Sequence, residues 1–315
     1  MKVKTKVYKH LGKSKVKSNL VKAFRKLSDS SQPDAAGMFG QEKKVTINNS
    51  LILQSSSDYD IDFEIPFDDN AEVNECTITL YNLSDTTRSQ IQRTLPITVE
   101  AGYAQDSVGQ ILCGLITDVH SYWSDLDHIT EITAQDYNGT ADQELADISF
   151  SAKTPASQIL TDLCGRLGIP IAVFQLQRDY VFESAVKING SIMDSIGKYA
   201  QICGVHAWIN KSSLYVCPLD TPVSEGYFDL KADTGLLDVE EWQERQDWQE
   251  SDKTQKFSDT INGITAKMLL QHRIYTGSTI QITSRNVNGR FKVREGQHTA
   301  DDDEFVTEVK AIRIG

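Results

Sequence analysis

From residue 40 to about 150, apolar positions recur at every second residue in short runs broken by turn residues. In TITLYNLSDTTRSQI, residues 77–91, Ile78, Leu80 and Asn82 alternate with Thr77, Thr79 and Tyr81, the pattern of a half-buried strand. The period then changes. Ser84 can cap a helix that holds Asp85 in its first turn, and Arg88, Ile91 and Gln92 follow at helical spacing until Leu95 and Pro96 end it. KKVTINNSLILQ predicts a hairpin across Asn48 and Asn49, and IDFEIPF, LPITVEAGY, GQILCGLITDVHSYW and HITEITAQDY predict further strands. Several strands around one short helix point to a small antiparallel barrel, because an open edge of this length needs protection.

The period lengthens at residue 154. TPASQILTDLCGRLG predicts a helix with Thr154 as N-cap, Pro155 at the first helical position, Ile159, Leu160, Leu163, Cys164 and Leu167 on one face, and Gly168 as the stop. IPIAVFQL reads as a strand, and SIMDSIGKYAQICG as a second helix burying Ile192, Met193, Ile196 and Ala200 and ending at Gly204. VHAWINKSSLYVCPL then reads as a hairpin turning at residues 210–212. After the acidic stretch DVEEWQERQDWQESDK, strands return in GITAKMLL, STIQITS, GRFKVREG and FVTEVKAIRI, with Asn288-Gly289 as a hairpin turn and Asp301, Asp302 and Asp303 on a loop tip. The fold class expected is α+β, mainly β, with two antiparallel β-barrel domains and a small α/β module between them. The expected boundaries are a basic arm at 1–36, the first barrel at 37–152, the module at 153–220, and a second barrel with an acidic loop at 221–315.

At ~150 residues per domain, the 315 residues fit two domains or three small ones. The apolar fraction, about 42% on the usual residue set, lies a little under the ordinary range, which suits a polar or assembly-forming protein. Charge is distributed unevenly. Lys2, Lys4, Lys6, Lys9, Lys13, Lys15, Lys17, Lys22, Arg25 and Lys26 fall in the first 27 residues with no acid among them, so the rest of the chain holds 22 basic and 44 acidic side chains. A body that negative repels polyphosphate, which argues against generic nucleic-acid binding by it and leaves no specific nucleic acid among the expected partners, while the arm reads either as a disordered solubilising tail or as a segment that orders on an acidic neighbour. Five cysteines form no CxxC and sit among apolar neighbours, as expected of reduced buried thiols in a reducing cytoplasm. No apolar run is long enough to span a membrane, and the amino terminus lacks the apolar stretch of a secretory signal, so a soluble chain not exported by that route is expected.

A search for chemistry finds no constellation. His10, His120, His128, His206, His272 and His298 are scattered singly, without HExxH or a His/Cys pair at ligand spacing, and there is no GxSxG, phosphate loop or GxGxxG after a strand. Glu240 and Glu241 could serve glycoside hydrolysis, but acids are too abundant here for any pair to be diagnostic, and a solvated acidic loop is the simpler reading. The triple Asp at 301–303 lacks calcium-loop spacing and reads as a solvated turn. Trp242 and Trp248 lie among acids rather than the cations of a base-stacking platform, so packing or a protein contact is expected of them. The expectation is therefore no catalytic residue, no metal and no cofactor.

CTITLYNLSDTTRSQI, LPITVEAGY and GQILCGLITDV, in that order, resemble the first tube-like barrel of phage baseplate hub proteins, the family that includes the late control protein D group. The residues carrying the likeness are Asn82-Leu83-Ser84, Ala101-Gly102-Tyr103 and the run from Leu112 to Ile116, with ITAQDYNGT matching the closing strand. The resemblance continues through the module and the final strands and covers roughly residues 40–315; the basic arm departs from the family pattern.

The resemblance implies a homotrimer whose two tube-like barrels per chain form a pseudo-sixfold ring. It further implies contacts with the tail tube protein, the central spike protein and other baseplate proteins, in the baseplate of a contractile phage tail or tail-like particle assembled in the host bacterial cytoplasm. The lysines of the arm would then meet the tape-measure protein, a neighbouring baseplate subunit or DNA near the channel. A tail tube or distal-tail protein of a non-contractile tail is the alternative, followed by a hub-associated cell-wall hydrolase.

Overall fold

The computed structural model describes residues 40–314, apart from 138–143, 220, 222, 224–226 and 250–255. The ten cationic residues of the arm lie outside the described residues, as does His10. The expected class, mainly β, is the one observed. The first strands are β1 (Gln41–Ile47), β2 (Leu51–Gln54), β3 (Ile61–Phe67), β4 (Glu75–Tyr81), β5 (Pro96–Tyr103), β6 (Val108–Ser124) and β7 (Asp127–Gln135), with one short helix, α1 (Asp85–Arg88), after β4. The β1–β2 hairpin turns where expected, with Asn48 and Asn49 both at positive φ, as a primed turn requires. On β4, Cys76, Ile78 and Leu80 are buried while the alternate residues are half-exposed. Period-2 patterning has placed one face of this strand in the core.

Helix α1 is shorter than the spacing of Arg88, Ile91 and Gln92 predicts. Ser84 does cap it, its hydroxyl accepting the Thr87 N–H at 3.1 Å. Beyond Arg88, however, side chains take the carbonyls that a continuing helix needs. Ser89 Oγ and Gln90 Nε2 both donate to the Thr86 carbonyl, and Gln92 Nε2 donates to that of Ser89.

Next come β8 (Glu144–Phe150), α2 (Ala156–Leu167), β9 (Ile171–Phe174), β10 (Val186–Ser191), α3 (Ile192–Ile202), β11 (His206–Asn210) and β12 (Ser213–Cys217). The apolar faces predicted for both helices are buried. The start of α2 differs from expectation. Pro155 is the N-cap, Thr154 precedes it and donates to the Ser151 carbonyl, and the free amide of Ser157 is met at 2.9 Å by Asp179, 22 residues on. Proline has no N–H and a ring in place of a capping oxygen, so a distant carboxylate supplies the acceptor. The hairpin of β11 and β12 turns at Lys211 and Ser212, again both at positive φ.

The chain ends with β13 (Phe228–Leu230), β14 (Leu236–Gln249), β15 (Lys256–Leu269), β16 (Thr279–Thr283), β17 (Asn288–Ala300) and β18 (Phe305–Arg313). Two expectations change here. From Asp238 to Gln249 the acidic stretch is a strand rather than a loop, part of β14, which pairs with β15 from Leu236 to Gln249. It lies at the end of the sheet, where charged side chains guard an open edge, and this is why its apolar alternation is weak. Asn288-Gly289 is not the hairpin turn. Ser284 closes that turn, its N–H reaching the Val287 carbonyl at 3.0 Å, and Gly289 pairs with Ile282 inside the strands. A Cβ on Gly289 would stand 2.5 Å from Arg313 Nη1, so the glycine leaves room for the Arg313 guanidinium, which sits 4.8 Å over the Phe291 ring.

One sheet runs through the described residues in the order β14-β15-β18-β17-β3-β4-β7-β6-β5-β1-β2, with β13 and β16 attached through β17. The β17–β3 ladder, Gly296 with Phe67 through Ala300 with Phe63, fuses the early strands to the late ones. Three apolar cores accompany it. The first lies among β1–β7 and takes in Leu270, Ala300 and Phe305; the second lies within the α/β module; the third lies among the last strands and takes in Phe67. In β6, a Cβ on Gly114 would stand 1.7 Å from the Gln135 carbonyl oxygen, so only glycine allows the two backbones to meet where the strand passes from β5 to β7.

Candidate functional site

Two buried polar junctions tie the module to the sheet. At the first, Asp136, at the end of β7, accepts the Lys211 N–H at 2.8 Å and the Cys113 N–H at 3.3 Å. Ser212 Oγ donates to the Cys113 carbonyl at 2.7 Å, and Lys211 Nζ donates to the His272 carbonyl at 3.0 Å and lies 4.9 Å from the Tyr275 ring centre. The turn of the β11–β12 hairpin is thus plugged between β6 and the segment after β15. Burial pushes the Asp136 carboxyl up to about 6, against the two backbone N–H bonds that oppose the shift. Burial likewise brings Lys211 down to about 8, opposed by Asp136.

The second junction centres on Asp69, in the loop after β3 and 6% exposed. Arg294 of β17 donates to its Oδ2 from Nε at 2.9 Å and from Nη2 at 2.8 Å, and His206 Nδ1 stands 3.4 Å from the same oxygen. Burial lowers the His206 pKa, opposed by Asp69 and reinforced by Arg294. One carboxylate therefore serves β17 of the sheet and β11 of the module.

The outward features are of another kind. Beyond Val119 the β6–β7 hairpin projects with its side chains exposed, and Trp123 is 71% and Leu126 91% accessible. Trp123 packs on His128 with ring centres 4.7 Å apart, and His128 is hydrogen-bonded by Arg88 of α1. The tryptophan is thus held in place while facing solvent. Among the described residues, no strand pairs with the outer side of β14 or of β2.

The residues weighed from sequence fall apart in space. His120 lies tilted against Tyr122 in the hairpin, His272 is half-buried and His298 fully buried, and burial takes the two down to about 4 and about 3. Glu241 accepts from Arg313 at 3.1 Å, and Trp242 packs on Gly263 beneath Lys310. Asp301 spends its Oδ1 on the N–H groups of Asp303 and Glu304, as a loop tip does. Among the described residues, no group of three or more His, Cys, Asp or Glu side chains is arranged to hold a metal ion, and no helix is long and apolar enough to cross a membrane. Asp69, Asp136, Lys211 and Arg294 escaped the sequence reading. Each is a single charged residue whose partner lies 75 or more residues away or in another element, which no local pattern records.

A family model described as baseplate hub gp41 matches residues 78–246. Among curated proteins, no sequence matches the chain. Solved structures share its fold. A tail protein from Neisseria meningitidis MC58 superposes with a TM-score of 0.64 at 9% identity, covering 88% of this chain and 98% of its own. The 43 kDa tail protein of prophage MuSo2 from Shewanella oneidensis gives 0.61 at 10% identity, with 86% and 98% covered. The E. coli c3393 protein, a component of the type VI secretion system with structural similarity to the T4 bacteriophage tail proteins gp27 and gp5, gives 0.59 at 11% identity, with 86% and 77% covered.

Proposed function

The chain belongs to the baseplate hub gp41 family, structural proteins of the phage tail baseplate, and from that premise we propose that three copies form a ring joining the tail tube to the central spike. The observation that carries this reading is the continuous sheet, in which β17 pairs with β3 and welds early and late strands into one rigid body. A sheet bonded across its whole width resists shear along its strands, as a part that passes load from tube to spike must. In this reading the chain comprises two tube-like barrels, at 37–152 and 221–315, and the module at 153–220, and three such chains present six barrel units to a sixfold tube. It works by assembly and carries no catalytic site.

The particle is contractile, either a phage or a tail-like injection device; the similarity of fold to a type VI secretion component supports this. The partners are the tube protein, the spike and neighbouring baseplate proteins, met in the host cytoplasm during assembly. The basic arm at 1–36 contacts an acidic partner such as the tape-measure protein. The test is the mass of the purified chain by light scattering, alone and with the tube and spike proteins encoded beside it. Three copies, alone or on the spike, is the expected result. A six-copy ring would make it a tube protein, and a monomer indifferent to both partners would sink the hub reading.

A further inference from the structure

The β6–β7 hairpin is built as a docking element, and we propose that it seats on the β16–β17 end of a neighbouring copy of this same chain. The proposal rests on the ring reading and names the contact that would build the ring. Three observations carry it.

First, the tip is preorganised. Trp123 is exposed yet braced by His128 and, through it, by Arg88, while Leu126 stands almost fully in solvent. An aromatic anchor already held in its rotamer loses little entropy on binding, the property of an interface hot spot.

Second, the charge and aromatic chemistry of the tip has a complement on the same molecule. Asp125 and Asp127 flank the tip, both exposed. Arg285 and Arg290 are exposed on the β16–β17 turn and the start of β17, and the Arg290 guanidinium lies 4.8 Å over the ring of Tyr227, itself half exposed. A guanidinium beside an aromatic face can receive an indole by cation–π contact and a carboxylate by a charged hydrogen bond.

Third, tip and receptor lie toward opposite ends of one sheet. The register Ala300–Phe63, Phe63–Ile78, Ile78–Ile132 and Ile132–Val119 makes one row across it. From this row the hairpin tip runs toward the Ile61 end of β3, while Arg290 lies back along β17 in the other direction. The two surfaces are different patches, and under the threefold axis of the ring reading each copy offers its tip to one neighbour and its receptor to the other. They make a head-to-tail contact, the kind that closes into rings when the rotation allows.

The experiment is sedimentation equilibrium of the full chain over a concentration series, then with the spike protein. Trp123→Ser combined with Leu126→Ser is expected to weaken self-association by roughly 30-fold or more, and circular dichroism should show an unchanged fold because both side chains are exposed. Asp125→Arg and Arg290→Asp should each weaken it alone, and the two in one chain should restore it, because every head-to-tail contact then again pairs opposite charges. A chain that reaches three copies but ignores all four substitutions overturns this contact and leaves the hub reading standing. A wild-type chain that stays monomeric at every concentration and on the spike overturns both.

Discussion

The carboxylate of Asp136 accepts the backbone N–H of Lys211 at 2.8 Å, pinning the turn of the module's hairpin to the end of β7 across 75 residues of sequence. Removing that acceptor strands two buried N–H groups, those of Lys211 and Cys113. Asp136→Ala should cost about 3 kcal/mol of unfolding free energy in urea titration, with the module loosening first in hydrogen exchange. A loss under 1 kcal/mol would show that the junction is dispensable.

The same carboxyl has a pH signature. Its folded value of about 6 lies above the ordinary 3.8, so the stability it contributes is fully present below pH 3.8 and is lost as pH rises through about 6. Asp136→Asn removes that dependence. Between pH 4 and pH 7 the variant should gain on the wild type by up to roughly 3 kcal/mol, and parallel stability curves would refute the assignment. Lys211 acts in the opposite sense on the alkaline side, because its value of about 8 lies below the ordinary 10.5.

His298 is buried, with its Nδ1 2.9 Å from Thr307 Oγ1, and its value falls to about 3. A depressed histidine contributes stability that is present above its ordinary 6.5 and lost as pH falls through the folded value. Acidification from pH 7 to pH 4 should therefore lower the melting temperature. His298→Phe, which keeps the ring against Phe67, should blunt that fall by roughly 2 kcal/mol or more. An unchanged acid limb in the variant would assign the loss to other groups.

Arg294→Met leaves the Asp69 carboxylate nearly buried without its main cation. The expected cost is about 3 kcal/mol, most of it recovered when Asp69→Asn is added, because the penalty is an uncompensated charge more than a lost contact. A double-mutant cycle checks this, and additive losses would contradict it.

Gly114→Ala puts a methyl group 1.7 Å from the Gln135 carbonyl oxygen, a clash with backbone that no rotamer relieves. Failure to express as soluble protein, or a loss above roughly 3 kcal/mol, is expected. A variant as stable as the wild type would mean that β6 can shift its path.

Removing residues 2–27 takes away ten positive charges and leaves the acidic body. If the arm meets an acidic partner, the truncated chain should still fold but should fail to enter particles when it replaces the full chain in an infected or producing cell. Normal particles would end that proposal.

Local order in this protein was written in the amino-acid sequence, and long-range order was not. The alternation at Ile78 and Leu80, the cap at Ser84, and the apolar faces of α2 and α3 were legible because each rests on neighbours within a few residues. Where the deciding partner is distant, the pattern misled or stayed silent. Asp179 caps α2 from 22 residues away, the acidic run of β14 becomes a strand because β15 pairs with it, and Asn288-Gly289 yields its turn to Ser284. The fusion of early and late strands through β3 and β17, and the burial of Asp69 and Asp136, belong to the tertiary structure alone. Hydrophobic periodicity records which face of an element is buried, whereas the choice of neighbour depends on shape and on charges that meet only after the chain has folded.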